Sequence, residues 1–361
     1  MPERDASIGG VALPTEAQVL EALRSVMDPE LGRDLVSLGM IKDIHTDSGN
    51  VRFTLVLTTP ACPLASQIQD AARISVMAVP GVEQVDVAVT SQVNRAQEKR
   101  DLIPGVRHTI AVASNKGGVG KSTVSVNLAV ALAQTGAKVG LLDADITGPN
   151  IPLMMGLKTM PVADDGMMVA PTKYGISVMS IGFFLEDDAP VIWRGPLIGG
   201  AIKQLLEDVA WGELDYLIVD LPPGTSYASL TLGQIIPLSG VVIVTTPQDV
   251  SLMDAKKAIS MFRQLNVPIL GIVENMSYFV CPHCHERTDI FAHGGGRKTS
   301  DKLSVPFLGE IPLDLETRIS ADGGRPIVEA NPTSTQADVF RAVAGAVAAR
   351  VSVLQAGVKR S

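Results

Sequence analysis

Residues Asn115 to Thr123 read N-K-G-G-V-G-K-S-T, which places a lysine and two hydroxyls directly behind a run of glycines. Gly117, Gly118 and Gly120 free the backbone to turn tightly, so that successive N–H groups converge on an anion. A helix predicted from about Lys121 adds the positive end of its dipole. In such a loop Lys121 reaches the β- and γ-phosphates of a nucleotide and the Ser122 hydroxyl binds Mg²⁺, while Val119 and Thr123 lend their main-chain groups. An unliganded strand–helix turn could share the glycines, but a Lys-Ser pair placed right after the last of them argues for phosphate. Asp220 closes the run D-Y-L-I-V-D. Alone that pattern is weak. Beside a phosphate loop it is the strand-end carboxylate that holds the metal or its water. No N-K-x-D guanine signature is present, which favours ATP.

A second chemistry sits at Cys281-Pro282-His283-Cys284. Two thiolates at this spacing can share one ion, but two ligands are half a site. His283, His285 and His293 could complete a zinc site within one chain. Alternatively, two chains could each bring one pair to a dimer axis, giving the four thiolates that a 4Fe–4S cluster needs. A redox pair fits poorly, because the cysteines lie far from the opening strand–helix unit.

The elements around these residues follow from hydrophobic patterning. From His108 onward, unbroken β-branched runs (109–113, 139–142, 216–219, 241–245 and 269–273) alternate with helical stretches. Such runs suit strands buried on both faces, so the fold expected is α/β, a doubly wound, mostly parallel sheet with ligands at its carboxyl ends. The segment 124–133 is apolar nearly all round and reads as a buried helix behind the loop. Ahead of it lies a small α+β pattern: a helix over 16–26 capped by Thr15, strands 41–46 and 51–58 joined by the turn 47–50, a helix over 64–77 and a strand over 82–89. Polar, basic Ser91–Arg100 followed by Pro104-Gly105 read as a linker. The division expected is 1–92, a linker over 93–106, and 107–361.

The 361 residues carry a net charge of −8 with 46% apolar residues, so a globular chain is expected and non-specific nucleic-acid binding is not. An odd count of three cysteines argues against a disulfide framework and for a reducing, cytoplasmic setting. Neither a secretory h-region nor a run approaching the roughly 18 apolar residues of a membrane span is seen. The alanine-rich helix expected after Thr333 lacks the basic face of a membrane-surface helix.

The loop departs from the usual phosphate-binding pattern by placing Lys116 near its start, and in this it resembles the deviant Walker A of the MinD/ParA/Mrp ATPases. That resemblance implies a homodimer in which Lys116 reaches the partner's nucleotide, as an arginine finger would. It also implies that Asp145 orients the attacking water, with Asp143 near the metal. Without the resemblance, both carboxylates could equally be turn caps. The runs W-G-E-L-D-Y-L-I-V-D-L-P-P-G-T, Trp193-Arg194-Gly195-Pro196-Leu197 and N-M-S-Y-F-V-C-P-H-C closely resemble the Mrp/ApbC iron–sulfur carrier ATPases. From this resemblance Asn275 would bind adenine, Pro312 would stand in the other wall of the base pocket, and a 4Fe–4S cluster on Cys281 and Cys284 would pass to apo-proteins. Where that family usually has Gly-Asp after Gly-Thr, this chain has Ser226-Tyr227. D-P-E-L-G and T-T-P-A-C-P-L resemble the small domain often fused ahead of such ATPases, which makes Cys62 either a cluster-handling thiol or a buried inert one. The rival functions are a partition or positioning ATPase and a zinc-stabilised switch without cargo.

Overall fold

A computed structural model describes residues 13–92, 102–146, 148–164, 166–185, 195–224, 236 and 238–357. The chain divides into two compact units, 1–94 with 352–361 and 95–351. In the first, α1 (Glu16–Arg24) opens with a capping box. The Thr15 hydroxyl accepts from Gln18 N, and the Gln18 side chain accepts from Thr15 N. The helix stops at Arg24, short of the expected Val26, where the Ser25 N–H turns back to Ala22 O. Strands β1 (Ile41–Asp47) and β2 (Asn50–Leu57) form a hairpin whose turn residues Ser48 and Gly49 both have positive φ. Helix α2 (Ala65–Met77) then crosses to β3 (Gln84–Ser91), which lies parallel to β2. Leu23, Phe53, Leu55, Ala72 and Val76 are fully buried between these layers.

The second unit starts with β4 (Val106–Ala113), α3 (Lys121–Gln134), β5 (Val139–Asp143) and α4 (Ile151–Met154). Short strands follow, β6 (Val162–Asp164), β7 (Met167–Val169) and β8 (Thr172–Lys173), and then β9 (Ile176–Ser180). Next come α5 (Gly195–Glu207), β10 (Leu214–Asp220), β11 (Leu238–Thr245) and α6 (Asp249–Gln264). The chain ends with β12 (Ile269–Val280), β13 (Arg287–Thr288), α7 (Gly295–Leu303), β14 (Phe307–Leu313), α8 (Leu315–Asp322), α9 (Ile327–Ala330) and α10 (Thr335–Gln355). No helix among the described residues is long and apolar enough to cross a membrane.

The main sheet runs β13-β12-β11-β4-β10-β5-β9-β8, with β14 also on β12. All its pairs are parallel except β12–β13 and β8–β9. The expected doubly wound α/β fold is therefore present. The chain leaves β4 toward β5 on one side and later returns to place β11 on the other, so the carboxyl end of β4 is the switch point of the sheet. The loop 114–120 leaves from that point. Helix α3, apolar nearly all round as the sequence suggests, is buried at Lys121 and from Val124 to Leu132.

Two parallel strands were not evident in the sequence. β9 is short and belongs to an irregular stretch, while β14 contains Gly309 and Pro312, residues that mask a strand unless it lies at an edge. The strand expected over 269–273 extends to Val280, because β14 supports it through Asn275 and β13 takes over at Phe279. Asn275 and Ser277 therefore lie within a strand instead of after one.

Leu141 is fully buried in β5, between β10 and β9. Leu141→Ala is expected to lower stability by about 2–5 kcal/mol, because the cavity it leaves can collapse only partly. Met253→Ala, at an exposed position of α6, should cost within about 0.5 kcal/mol. Urea unfolding of both variants checks the contrast, and equal losses would mean that the core is misassigned.

Candidate functional site

The loop 114–120 turns through Gly118 (φ +80°) and Gly120 (φ +81°), both in the left-handed region. Gly120 precedes α3 with no side-chain cap, so the first-turn N–H groups of that helix have no side-chain partner. A Cβ on Gly120 would also collide with the Asn275 amide, which makes glycine obligatory there twice over. Lys121 is 6% exposed, and its Nζ stands 2.7 Å from Asp220 Oδ2 and 3.8 Å from Asp145 Oδ2. Ser122 Oγ donates to the same Asp220 oxygen at 2.7 Å, and Ser125 Oγ donates to Oδ1 at 2.6 Å. Ser125 went unnoticed in the sequence. Its signal is the i+4 spacing from Lys121, whose carbonyl it also approaches at 3.1 Å.

Parallel register aligns the strand ends, with Asp220 beside Asp143 and Asp143 beside Ser180. The Asp143 carboxylate is fully buried and accepts from Asp145 N, Ile151 N and Ser180 Oγ at 3.2, 3.2 and 3.0 Å. Burial first, and the charge of Asp220 second, push it up to about 7 despite those bonds.

The loop opens onto a cleft of about 640 Å³, which Asp143, Asp220 and Ser125 do not line. Gly117, Gly118, Lys121, Ser122, Thr123 and Asp145 face it from the loop side, and Asn275, Met276 and Pro312 from the other. Gln336, which the sequence did not single out, also lines it and donates to Pro312 O at 3.1 Å. Asn275 Nδ2 donates to Val119 O at 2.8 Å, which ties β12 to the loop. Lys116 is exposed at the rim of the cleft and forms no ion pair among the described residues. Asn115 Nδ2 reaches Asp254 Oδ1 at 3.3 Å on α6.

The cysteine pair caps the β12–β13 hairpin at the far end of the strand that carries Asn275. Cys281 N donates to Glu286 O, and His285 N to Cys281 O, closing the turn. Cys281 is half-buried and Cys284 exposed. The N–H groups of Cys284 and His283, and then the Cys284 thiol, hold Cys281 below the ordinary thiol range and so favour the thiolate. No group of three or more His, Cys, Asp or Glu is gathered for one metal among the described residues. His293 instead meets Arg287 and Ser277. Cys62 is half-buried, and burial pushes its thiol up, away from thiolate chemistry. The Trp193-Arg194 pair and Thr225-Ser226-Tyr227 lie outside the described residues.

A glycine loop at a sheet switch point, leading into a buried helix with strand-end aspartates on its Lys-Ser pair, defines a P-loop nucleotide-binding domain of the MinD/ParA type. Residues 105–348 match the family described as NUBPL iron-transfer P-loop NTPase, and the chain belongs to that family. Residues 16–89 match the iron–sulfur cluster assembly protein family. An iron–sulfur cluster carrier protein of Synechocystis is 51% identical over 94% of this chain and 99% of its own length. An iron–sulfur cluster transfer protein NUBPL of Mus musculus is 48% identical over 73% and 83%. A nucleotide-binding protein of Archaeoglobus fulgidus, solved with ADP, has a TM-score of 0.59 and 42% identity, covering 66% of this chain and 94% of that one. The cell division ATPase MinD of Pyrococcus furiosus shares the fold at a TM-score of 0.52 and 25% identity, over 66% and 98%.

The raised carboxyl of Asp143 predicts a pH signature. Between the ordinary value of 3.8 and about 7 the folded chain holds a proton that the unfolded chain has lost. Stability from this group is therefore full below the lower value and lost as pH rises through the upper one. For metal-free protein, the Tm of Asp143→Asn should vary less than that of wild type between about pH 5 and 8. Equal slopes would show that Asp143 is not protonated there.

Proposed function

We propose that this chain is an ATPase that carries a 4Fe–4S cluster between two copies of itself and delivers it to apo-proteins of the cytoplasm. The observation that carries the reading is the hairpin pair of Cys281, half-buried and thiolate-favouring, and Cys284, exposed. Among the described residues it offers two ligands and no third, and it follows the strand whose Asn275 touches the phosphate loop. A cluster needs about four thiolates, so a second copy of the chain completes the set. The names of the curated relatives, carriers and transfer proteins of iron–sulfur clusters, support the cargo.

In this reading the loop N–H groups of residues 117–120 and Lys121 hold the phosphates. The oxygens of Ser122, Asp220 and Asp143 form a hard donor set that suits Mg²⁺, which would neutralise charge building on the β- and γ-phosphates. Asp145, near Lys121 at the cleft, orients the water that attacks the γ-phosphorus and releases ADP and phosphate. Asn275 spends one N–H on Val119 O and keeps its other N–H and its carbonyl oxygen for adenine, against a wall that includes Pro312. Lys116 crosses to the nucleotide of the partner in this reading, a role that its exposure beside the cleft supports.

Lys121→Ala and Lys116→Ala are each expected to lose most ATP hydrolysis, with Lys116→Ala keeping nucleotide affinity. Mixing the two chains should restore part of the rate through hybrid dimers. Hybrids that form and stay inactive would count against action across the interface.

Anaerobic reconstitution tests the cargo. About four irons and four sulfides per dimer and a broad visible band are expected, lost in Cys281→Ala and in Cys284→Ala and kept in Cys62→Ala. The proposal fails if the double cysteine variant reconstitutes the same spectrum, or if wild type takes zinc and rejects iron.

A further inference from the structure

Strand β12 has an irregularity between its two functional ends. From Asn275 to Phe279 it advances four residues while β14 advances two, from Ile311 to Leu313, so β12 bulges. Met276, in the bulge, has a φ of +53°, a left-handed conformation that costs a non-glycine residue energy. Its neighbour Asn275 holds Val119 O of the phosphate loop, and Met276 itself lines the nucleotide cleft.

Around the bulge lies a polar cluster that phosphate chemistry does not use. Glu274 is fully buried in the middle of the sheet. Its carboxylate accepts from Ser277 Oγ at 2.6 Å, from Gly294 N at 3.1 Å and from Gly296 N in the first turn of α7. Ser277 Oγ also lies 3.2 Å from His293 Nδ1. Arg287 Nη2, which can only donate, approaches the same Nδ1 at 2.9 Å, so that nitrogen carries the lone pair. The single Ser277 proton thus faces two acceptors, Glu274 and His293. Arg287 in turn lies 4.0 Å over the Tyr278 ring and pairs through its backbone with Val280, next to Cys281. A continuous path therefore runs from Val119 through Asn275, the bulge, Ser277, His293 and Arg287 to the hairpin that bears the cysteines.

We propose that Ser277, with Glu274 and His293, is a positioning device: it transmits the state of the nucleotide cleft to the cysteine hairpin by shifting the bulge at Met276. A nucleotide that alters the Asn275–Val119 contact pulls on the bulge. The Ser277 hydroxyl then exchanges Glu274 for His293, and the Arg287-anchored return strand moves the Cys281–Cys284 turn. The carboxylate keeps the Gly294 and Gly296 N–H groups when the hydroxyl leaves, so Ser277 is the donor that can move without stripping the buried charge. This inference rests on the proposed nucleotide site, but its test needs neither iron nor hydrolysis.

The probe is the alkylation rate of Cys281 and Cys284 by iodoacetamide in metal-free, full-length protein, with and without Mg-ADP and a non-hydrolysable ATP analogue. In wild type the rates should differ between nucleotide states by about fivefold or more, a typical coupling between two sites. Ser277→Ala should keep nucleotide affinity and the nucleotide-free rate but lose the difference. Ser277→Thr, which retains the hydroxyl, should keep it. A response that persists in Ser277→Ala overturns the proposal, and so does a wild-type protein with no response although it binds nucleotide. Cluster reconstitution on the same preparations separates the two readings. A chain that reconstitutes without a response loses only this inference, and one that responds but rejects iron loses only the cargo.

Discussion

The carboxylate of Asp220 is the group on which the site depends. It is buried at the end of a central strand, where an unpaired charge would be strongly destabilising, and it is satisfied by Lys121, Ser122 and Ser125 on one turn of α3. That one cluster fixes the helix against the sheet and sets where the phosphate loop opens, while burial first and the Asp220 charge second lift the neighbouring Asp143 out of the ordinary carboxylate range. The arrangement holds charges ready for exchange. Ammonium and hydroxyl face a carboxylate, and in the proposed function both turn to phosphate and metal. A buried ion pair is poor evidence for stability, but it is a good way to hold a polar site in register before its ligand binds.

The second constraint is that, in the proposed function, one strand serves two chemistries. β12 is flanked by β11 and β14 in its first half; in its second, β13 pairs with it and β14 reaches it once more at Phe279 before the strand runs on to the hairpin. The thiols therefore project beyond the body of the sheet, exposed enough for a shared ligand, while the same backbone remains fastened to the phosphate loop by Asn275. A cysteine pair in the sheet proper would be a buried, inert one. At a hairpin tip, backbone N–H groups can face sulfur and favour the thiolate.

Membership of the iron-transfer P-loop family and the MinD-like fold describe different levels of the same chain. The sheet and phosphate loop are common to both, so they say little about cargo. In this chain the hairpin at the end of β12 carries the cysteine pair, and neither cysteine lines the nucleotide cleft.

Much of this was legible in the sequence, for a physical reason in each case. The phosphate loop is a local structure: its glycines, lysine and serine are contiguous, and their conformations are set by neighbours along the chain. Strands buried on both faces announce themselves as unbroken apolar runs, and α3 does so by being apolar nearly all round. The boundaries blurred where pairing with a distant strand decided them, as in the extension of β12 through Asn275 and in β14, whose Pro312 is tolerated only at an edge. The remaining site residues had no local signature. Ser125 matters because register brings Asp220 to it, Gln336 because α10 packs beside Pro312, and Glu274 because α7 aims its first N–H groups at that carboxylate. Sequence alone determined the residues that bind through their own loop. Tertiary structure decided which distant carboxylates, amides and hydroxyls stand around them, because burial and register depend on contacts between residues far apart in the chain.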